Sequence, residues 1–132
     1  MKPKTAIKAL LIVYTAILLF HFAILLKLIP YGITWGGKLQ SDQEMYVFES
    51  VSIFINLIFM FMLAMKGGLV KQFIPISGVN IILWVFFGLF CLNTVGNIFA
   101  ETTFEKCFTI VTLGTAWLLW VVLKSKTDME SR

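Results

Sequence analysis

Four long stretches of this sequence contain no lysine, arginine, aspartate or glutamate. They cover residues 9–26, 50–65, 72–100 and 107–123 and are 18, 16, 29 and 17 residues long. About 20 apolar residues in a helix cross the hydrocarbon core of a bilayer, which is roughly 30 Å thick. We therefore predict an all-α fold in which four transmembrane helices form an antiparallel bundle, as one integral membrane domain covering all 132 residues.

The four predicted helices cover residues 7–29, 45–65, 74–100 and 107–123, and Glu49 is included in the second because that helix is otherwise one turn too short. Composition agrees with this interpretation. Hydrophobic residues make up 59% of the chain and charged residues 14%, whereas soluble domains average roughly 25% charged residues. A soluble or disordered chain is therefore excluded.

The basic residues are divided unequally between the two sides of the predicted bundle. Eight lie on one side: Lys2, Lys4, Lys8, Lys66, Lys71, Lys124, Lys126 and Arg132. Three lie on the other: Lys27, Lys38 and Lys106. Because basic residues are enriched in cytoplasmic segments, we expect both termini in the cytoplasm and a multi-pass protein of a bacterial-type plasma membrane. We assign the net charge of +4 to topology and anionic lipid, not to nucleic-acid binding.

Few residues offer catalytic or cofactor chemistry. The sequence shows no Ser-His-Asp order, no paired carboxylates at a plausible site and no cofactor fingerprint. Its one histidine makes a poor zinc site without further His or Cys ligands, and its two cysteines exclude a disulfide scaffold. We expect a protein that is not an enzyme and that has no metal and no cofactor.

Polar side chains inside the predicted spans are the candidates for a functional site, because such groups are costly to insert into a bilayer. Counting about 1.5 Å of rise per residue from the outer boundary places six of them in the outer third of the membrane: His21, Glu49, Ser52, Asn93, Asn97 and Thr112. Helical spacing puts Glu49 and Ser52 on one face, and Asn93 and Asn97 on another. In a bundle these faces are expected to turn inward.

Two interpretations of this cluster remain open. In the first, the side chains form a small polar cavity under the outer surface, in which His21 and Glu49 titrate while Asn93 and Asn97 position a small-molecule or lipid ligand. In the second, the same groups bond one another and fix the helix register, as polar residues in membrane bundles often do. Asn56 and Asn80 are interpreted as interhelical hydrogen-bond partners.

The connecting segments differ in character. The first outer loop contains Trp35, Gly36, Gly37 and Lys38, where two adjacent glycines relax the steric limits on the backbone. We expect this segment to act as a lid over the polar cluster or as a tight turn and interface anchor. Residues 66–71 are expected to form a short cytoplasmic turn.

Several short segments resemble a pattern found in small uncharacterised bacterial membrane proteins with four helices. They are Trp35-Gly36-Gly37-Lys38-Leu39, Glu44-Met45, Phe48-Glu49, Asn93-Thr94-Val95-Gly96-Asn97 and Glu105-Lys106. The resemblance implies a bacterial membrane protein with four helices, and it implies no activity, substrate or catalytic residue.

From these observations we expect a non-enzymatic binding or accessory protein with a polar pocket in the outer third of the membrane. The alternative is a small proton-linked transporter or ion pathway in which Glu49 and His21 carry protons. The lipid bilayer is the expected surrounding. Gly96 and Ala100 form a small-xxx-small pair that could allow a homodimer or a larger membrane complex, although nothing in the sequence requires one.

Overall fold

The computed structural model describes residues 2–30, 40–99 and 103–124, and these residues include four helices. Helix α1 covers Pro3–Leu25, α2 covers Asp42–Lys66, α3 covers Ile76–Ile98 and α4 covers Thr103–Lys124. All four helices are long and apolar enough to cross a membrane. The prediction of an all-α fold with four candidate spans is therefore confirmed.

Local sequence explains where the helices begin. Pro3 opens α1, a position at which the missing amide hydrogen of proline is not needed. Ser41 caps α2, because its hydroxyl accepts a hydrogen bond from the Glu44 amide at 3.2 Å. The Glu44 carboxylate in turn accepts from the amide of Gln40 at 3.2 Å. Acidic Asp42 and Glu44 in the first turn also match the positive end of the helix dipole.

The first helix ends earlier than the predicted boundary at residue 29. The amide of Lys27 donates to the carbonyl of Ile24, and the amide of Leu28 donates to the carbonyl of Ala23. This is the Schellman pattern that closes a helix. Lys27 occupies its left-handed position with a φ of 63°, a conformation usually taken by glycine. No glycine marks this helix end in the sequence, so the predicted boundary was wrong by about one turn.

The other predicted boundaries shift by up to four residues, and α1 begins at Pro3, four residues before the predicted position 7. Helix α2 begins three residues before the predicted position 45, because Ser41 caps a polar first turn. Helix α3 lies within the predicted range 74–100, and α4 begins before residue 107 at Thr103. The lid residues Trp35, Gly36, Gly37 and Lys38 lie outside the described residues.

Lys27 is also joined to the start of α2. Its ammonium group is hydrogen-bonded to the carboxylate of Asp42, and both side chains are about half exposed. The hydrogen bond that Lys27 donates to Asp42, together with the negative charge of that carboxylate, raises the pKa of Lys27. The ammonium therefore keeps its charge to a higher pH than an isolated lysine.

Gly68 occupies the equivalent left-handed position after α2, with a φ of 73°. We expect Gly68→Ala to lower the free energy of unfolding by about 1 kcal/mol, because a Cβ is disfavoured in this conformation. Gly88→Ala is the matched control. A Cβ at Gly88 meets nothing within 4 Å, and alanine stabilises a helix interior by about 0.5–1 kcal/mol relative to glycine. Unfolding in mixed detergent micelles would measure both changes. Equal effects of the two variants would mean that the left-handed conformation of Gly68 does not make alanine costly at this position.

The helices pack as neighbours in the order α1, α2, α3, α4, and α4 also contacts α1. A side-chain hydrogen bond joins each of these neighbouring pairs: His21 to Glu49, Lys66 to Asn80, Thr94 to Thr112 and Tyr14 to Thr115. The apolar core lies between the helices and includes the buried residues Leu10, Phe59, Leu63, Leu83 and Leu119.

The outside of the bundle carries many large apolar side chains. Ile12 is 72% exposed, Leu92 is 69% exposed and Ile110 is 78% exposed. Apolar exposure on this scale is rare on soluble monomers. In a membrane, the same side chains contact the hydrocarbon chains of the lipids, and their exposure carries no penalty. The surface and the four long apolar helices together indicate a multi-pass membrane protein.

Candidate functional site

His21 and Glu49 form a hydrogen-bonded pair between α1 and α2. The distance between His21 Nδ1 and Glu49 Oε2 is 2.5 Å. Glu49 has no exposed surface, whereas the side chain of His21 is 17% exposed. The fully buried Ile24 and Met45 pack together about one turn away, toward the 26–41 connection. Apolar residues therefore cover the pair on that side.

A cavity with a volume of ≈ 440 Å³ lies between the four helices beside this pair. Helix α1 contributes Tyr14, Ile17, Phe20 and His21 to its walls, and α2 contributes Ser52, Ile55 and Asn56. Helix α3 contributes Phe86, Leu89, Phe90, Asn93 and Asn97, and α4 contributes Glu105, Phe108 and Thr112. Pockets of this size with mostly apolar walls and a few convergent polar groups are typical of small-molecule sites.

Aromatic side chains close the cavity toward the Lys66 end of the bundle. The Phe59 ring lies 5.0 Å from the rings of Tyr14, Phe86 and Phe90, measured between centroids. Phe59 is fully buried. The Tyr14 hydroxyl donates a hydrogen bond to Thr115 at 3.1 Å, which holds this ring in place. We call these four residues, Tyr14, Phe59, Phe86 and Phe90, the aromatic floor.

The structure brings five of the six predicted site residues to the cavity wall: His21, Ser52, Asn93, Asn97 and Thr112. Glu49 differs, because it lies behind His21 and does not line the cavity. In the tautomer that donates Nδ1–H to Glu49, the other imidazole nitrogen, Nε2, remains for other interactions. Glu49 therefore orients the imidazole, and any effect of Glu49 on a ligand would pass through His21.

Thr112 combines two roles. Its hydroxyl lies 3.0 Å from that of Thr94, and it also reaches the main-chain carbonyl of Phe108 at 3.2 Å. Thr94 was missed by the sequence analysis, because a threonine next to the more polar Asn93 does not stand out. Thr112 thus fixes the contact between α3 and α4 as well as lining the cavity.

The two asparagines that were interpreted as interhelical partners behave differently. Asn80 accepts a hydrogen bond from Lys66 at 2.7 Å, as the interpretation requires. Asn56 instead donates to the carbonyl of Ser52 in its own helix at 2.9 Å and lines the cavity, so the expectation for Asn56 was wrong. Lys66 was expected in a turn, but it ends α2 and is 1% exposed.

Glu105 is a cavity residue that the sequence analysis did not identify. It lies in the first turn of α4, and it lines the cavity together with Phe108 and Thr112. These three residues follow the spacing i, i+3 and i+7, which marks one face of a helix. Extending the face of Thr112 toward the helix start would have found Glu105.

Within the described residues, no group of three or more His, Cys, Asp or Glu side chains is arranged to hold a metal ion. The site is therefore defined by an acid-imidazole pair, amide and hydroxyl groups and aromatic walls. Comparison with known proteins finds no match, since no family model, no curated protein and no solved structure is significantly similar to the chain.

Proposed function

We propose that this chain is a multi-pass protein of the bacterial cytoplasmic membrane, with four antiparallel helices and both termini in the cytoplasm. The unequal division of basic residues supports this orientation. The contacts support the antiparallel arrangement. His21, late in α1, is bonded to Glu49, early in α2, and Thr94, late in α3, is bonded to Thr112 in the first half of α4. With this topology the cavity lies in the outer part of the membrane.

The proposed function is binding of a small molecule or lipid by a non-enzymatic accessory protein. The observation that carries it is the cavity of ≈ 440 Å³, whose wall includes His21, Asn93 and Asn97. Apolar walls hold a ligand by burial, and a few polar groups orient it. A bundle that used its polar groups only to fix helix register would have no need for such a space.

A proton-linked transporter is the second candidate, and the His21–Glu49 pair favours it because paired titratable groups are typical of proton relays. The aromatic floor argues against it. Phe59 and its neighbours lie between the cavity and the other end of the bundle, where the buried Lys66 is hydrogen-bonded to the partly exposed Asn80. A pathway needs polar groups that continue across the membrane. Proton flux into proteoliposomes that disappears in Glu49→Gln would favour the transporter.

A pair of serine variants tests the binding function. Ser52 lines the cavity, whereas Ser50 lies two residues away in α2 and is exposed. We expect Ser52→Trp to fill the cavity and reduce ligand occupancy at least about tenfold, which corresponds to roughly 1.4 kcal/mol. Ser50→Trp adds the same indole to the outside and should leave occupancy unchanged.

The measurement is native mass spectrometry of the full chain, purified in a mild detergent from the membranes in which it was expressed. A bound molecule should add a discrete mass to the wild-type protein and to Ser50→Trp, and this mass should be lost in Ser52→Trp. A spectrum without an added mass, or the same added mass in all three proteins, would count against the binding function.

A further inference from the structure

Two asparagine side chains of α3 line the cavity with their hydrogen-bonding capacity unused. Asn93 and Asn97 both line it, and within residues 2–30, 40–99 and 103–124 their amide groups make no hydrogen bond. Thr94 in the same helix is different, because its hydroxyl is bonded to that of Thr112 in α4. The two amides therefore do not fix helix register, although unpaired polar groups are costly inside a membrane.

Ser52 and His21 add further hydrogen-bonding groups to the same wall. The Ser52 hydroxyl also makes no hydrogen bond within the part of the chain that the structure describes. Nδ1 of His21 is bonded to Glu49, and Nε2 points away from Glu49 because the two nitrogens lie on different sides of the ring. Amides, a hydroxyl and an imidazole together offer both donors and acceptors. A complementary ligand group should therefore both donate and accept hydrogen bonds.

These groups lie at the opposite end of the cavity from the aromatic floor. Seven residues separate His21 from Tyr14 in α1, and seven separate Asn97 from Phe90 in α3. Each interval corresponds to about 10 Å of helix. The cavity therefore has a polar end, formed by Ser52 and the other three groups, and an aromatic end.

Water can satisfy only the polar end of this cavity. A buried water molecule needs several polar partners, whereas the rings of Phe86 and Phe90 offer none and the Tyr14 hydroxyl is already bonded to Thr115. A molecule with an apolar body fits the aromatic end. Among the described residues, no lysine or arginine lines the cavity, so an anionic head would meet no fixed positive charge. The two ends together match an uncharged amphiphile.

We propose that the cavity binds an uncharged amphiphile with two or more hydroxyl groups on its head and a short apolar body. The head lies among Ser52, Asn93 and Asn97, and the body lies against the aromatic floor. This proposal rests on the binding function proposed above and specifies its ligand class. A monoacylglycerol and a free alkyl polyol share this chemistry.

Four probes with the same octyl chain test the proposal. Octylglycerol carries two hydroxyl groups, its dimethyl ether has the same skeleton without hydroxyl hydrogens, and octyltrimethylammonium and octyl sulfate carry opposite charges. Equilibrium dialysis against the full chain in detergent micelles would measure the binding of each probe, with the Ser52→Trp protein as the blank for micelle partitioning. We expect octylglycerol to bind at least about tenfold more tightly than each of the other three.

Two leucine variants test the role of the amides. Asn93→Leu and Asn97→Leu should each weaken octylglycerol binding about fivefold, as the loss of one hydrogen bond predicts. Neither should make the bundle easier to unfold, because no described side chain loses a partner. Asn80→Leu is the matched control outside the cavity. It removes the acceptor of Lys66, so it should ease unfolding in a denaturing detergent and leave octylglycerol binding unchanged.

The outcomes separate this proposal from the binding function. Octylglycerol binding no tighter than that of its dimethyl ether or of either charged probe would overturn the ligand class and leave the serine test of the binding function intact. Unchanged octylglycerol binding in both leucine variants, or unfolding eased as much as in Asn80→Leu, would also overturn it. Displacement of the added native mass by octylglycerol would support the proposal, and the measured mass would distinguish a monoacylglycerol from a free polyol.

Discussion

Phe59→Ala is expected to lower the free energy of unfolding by about 3 kcal/mol, the low end of the range for truncating a buried phenylalanine. Phe59 is fully buried and contacts the rings of Tyr14, Phe86 and Phe90. These contacts join three helices, so the resulting space cannot be filled by the movement of one side chain. Unfolding by a denaturing detergent in mixed micelles, followed by circular dichroism, would measure the loss.

Phe54→Ala is the matched control, because it makes the same substitution in α2 at a side chain that is 65% exposed. Its expected cost is within about 0.5 kcal/mol. If Phe59→Ala cost no more than Phe54→Ala, the aromatic floor would not be a packed element of the core. Since the floor separates the cavity from the Lys66 end, the same variant should also increase any leak of protons through proteoliposomes.

His21→Ala is expected to lower the free energy of unfolding by about 2 kcal/mol. The reason is that Glu49 is fully buried and would lose its imidazole partner, and a buried polar group that loses a hydrogen bond costs about 1–3 kcal/mol. Combining His21→Ala with Glu49→Leu should recover much of this loss, because the second change removes the buried carboxylate. The four proteins of this double-mutant cycle isolate the energy of the pair.

Tyr14→Phe provides the comparison for an ordinary interhelical hydrogen bond. It removes the hydroxyl that donates to Thr115 and preserves the ring. Its expected cost is about 0.6 kcal/mol, the average for such bonds in a membrane bundle. A coupling energy between His21 and Glu49 that did not exceed this value would mean that the pair acts only as one more contact between helices.

The spans were predictable because their physical cause is local. Each apolar run is bounded by charged residues, and a run of that length can satisfy its backbone in a bilayer only as a helix or within a closed barrel. The ends were less predictable. Ser41 is a recognisable cap, and it explains the start of α2. Lys27 is not a recognisable stop signal, since its left-handed conformation is one that glycine normally adopts.

The cavity was partly predictable from depth and helical spacing. His21, Ser52 and Asn93 were assigned to one polar layer, and they line one cavity. Sequence could not show that Glu49 lies behind His21, because the rotation of one helix against another depends on packing along its whole length. Glu105 was not predicted as a cavity residue for another reason. A charged residue at a predicted span boundary is expected in the headgroup region, whatever face it occupies.

The hydrogen bond between Tyr14 and Thr115 has a consequence for the order of assembly. The two residues are 101 positions apart, and α1 is therefore synthesised before the helix that carries its hydrogen-bond partner. Until α4 is inserted, the buried hydroxyl of Tyr14 lacks Thr115, and the aromatic floor lacks the bond that holds one of its rings. A chain that stops before α4 therefore leaves in the bilayer a hydroxyl group without the acceptor that Thr115 provides, and this polar group distinguishes it from a chain that has inserted α4.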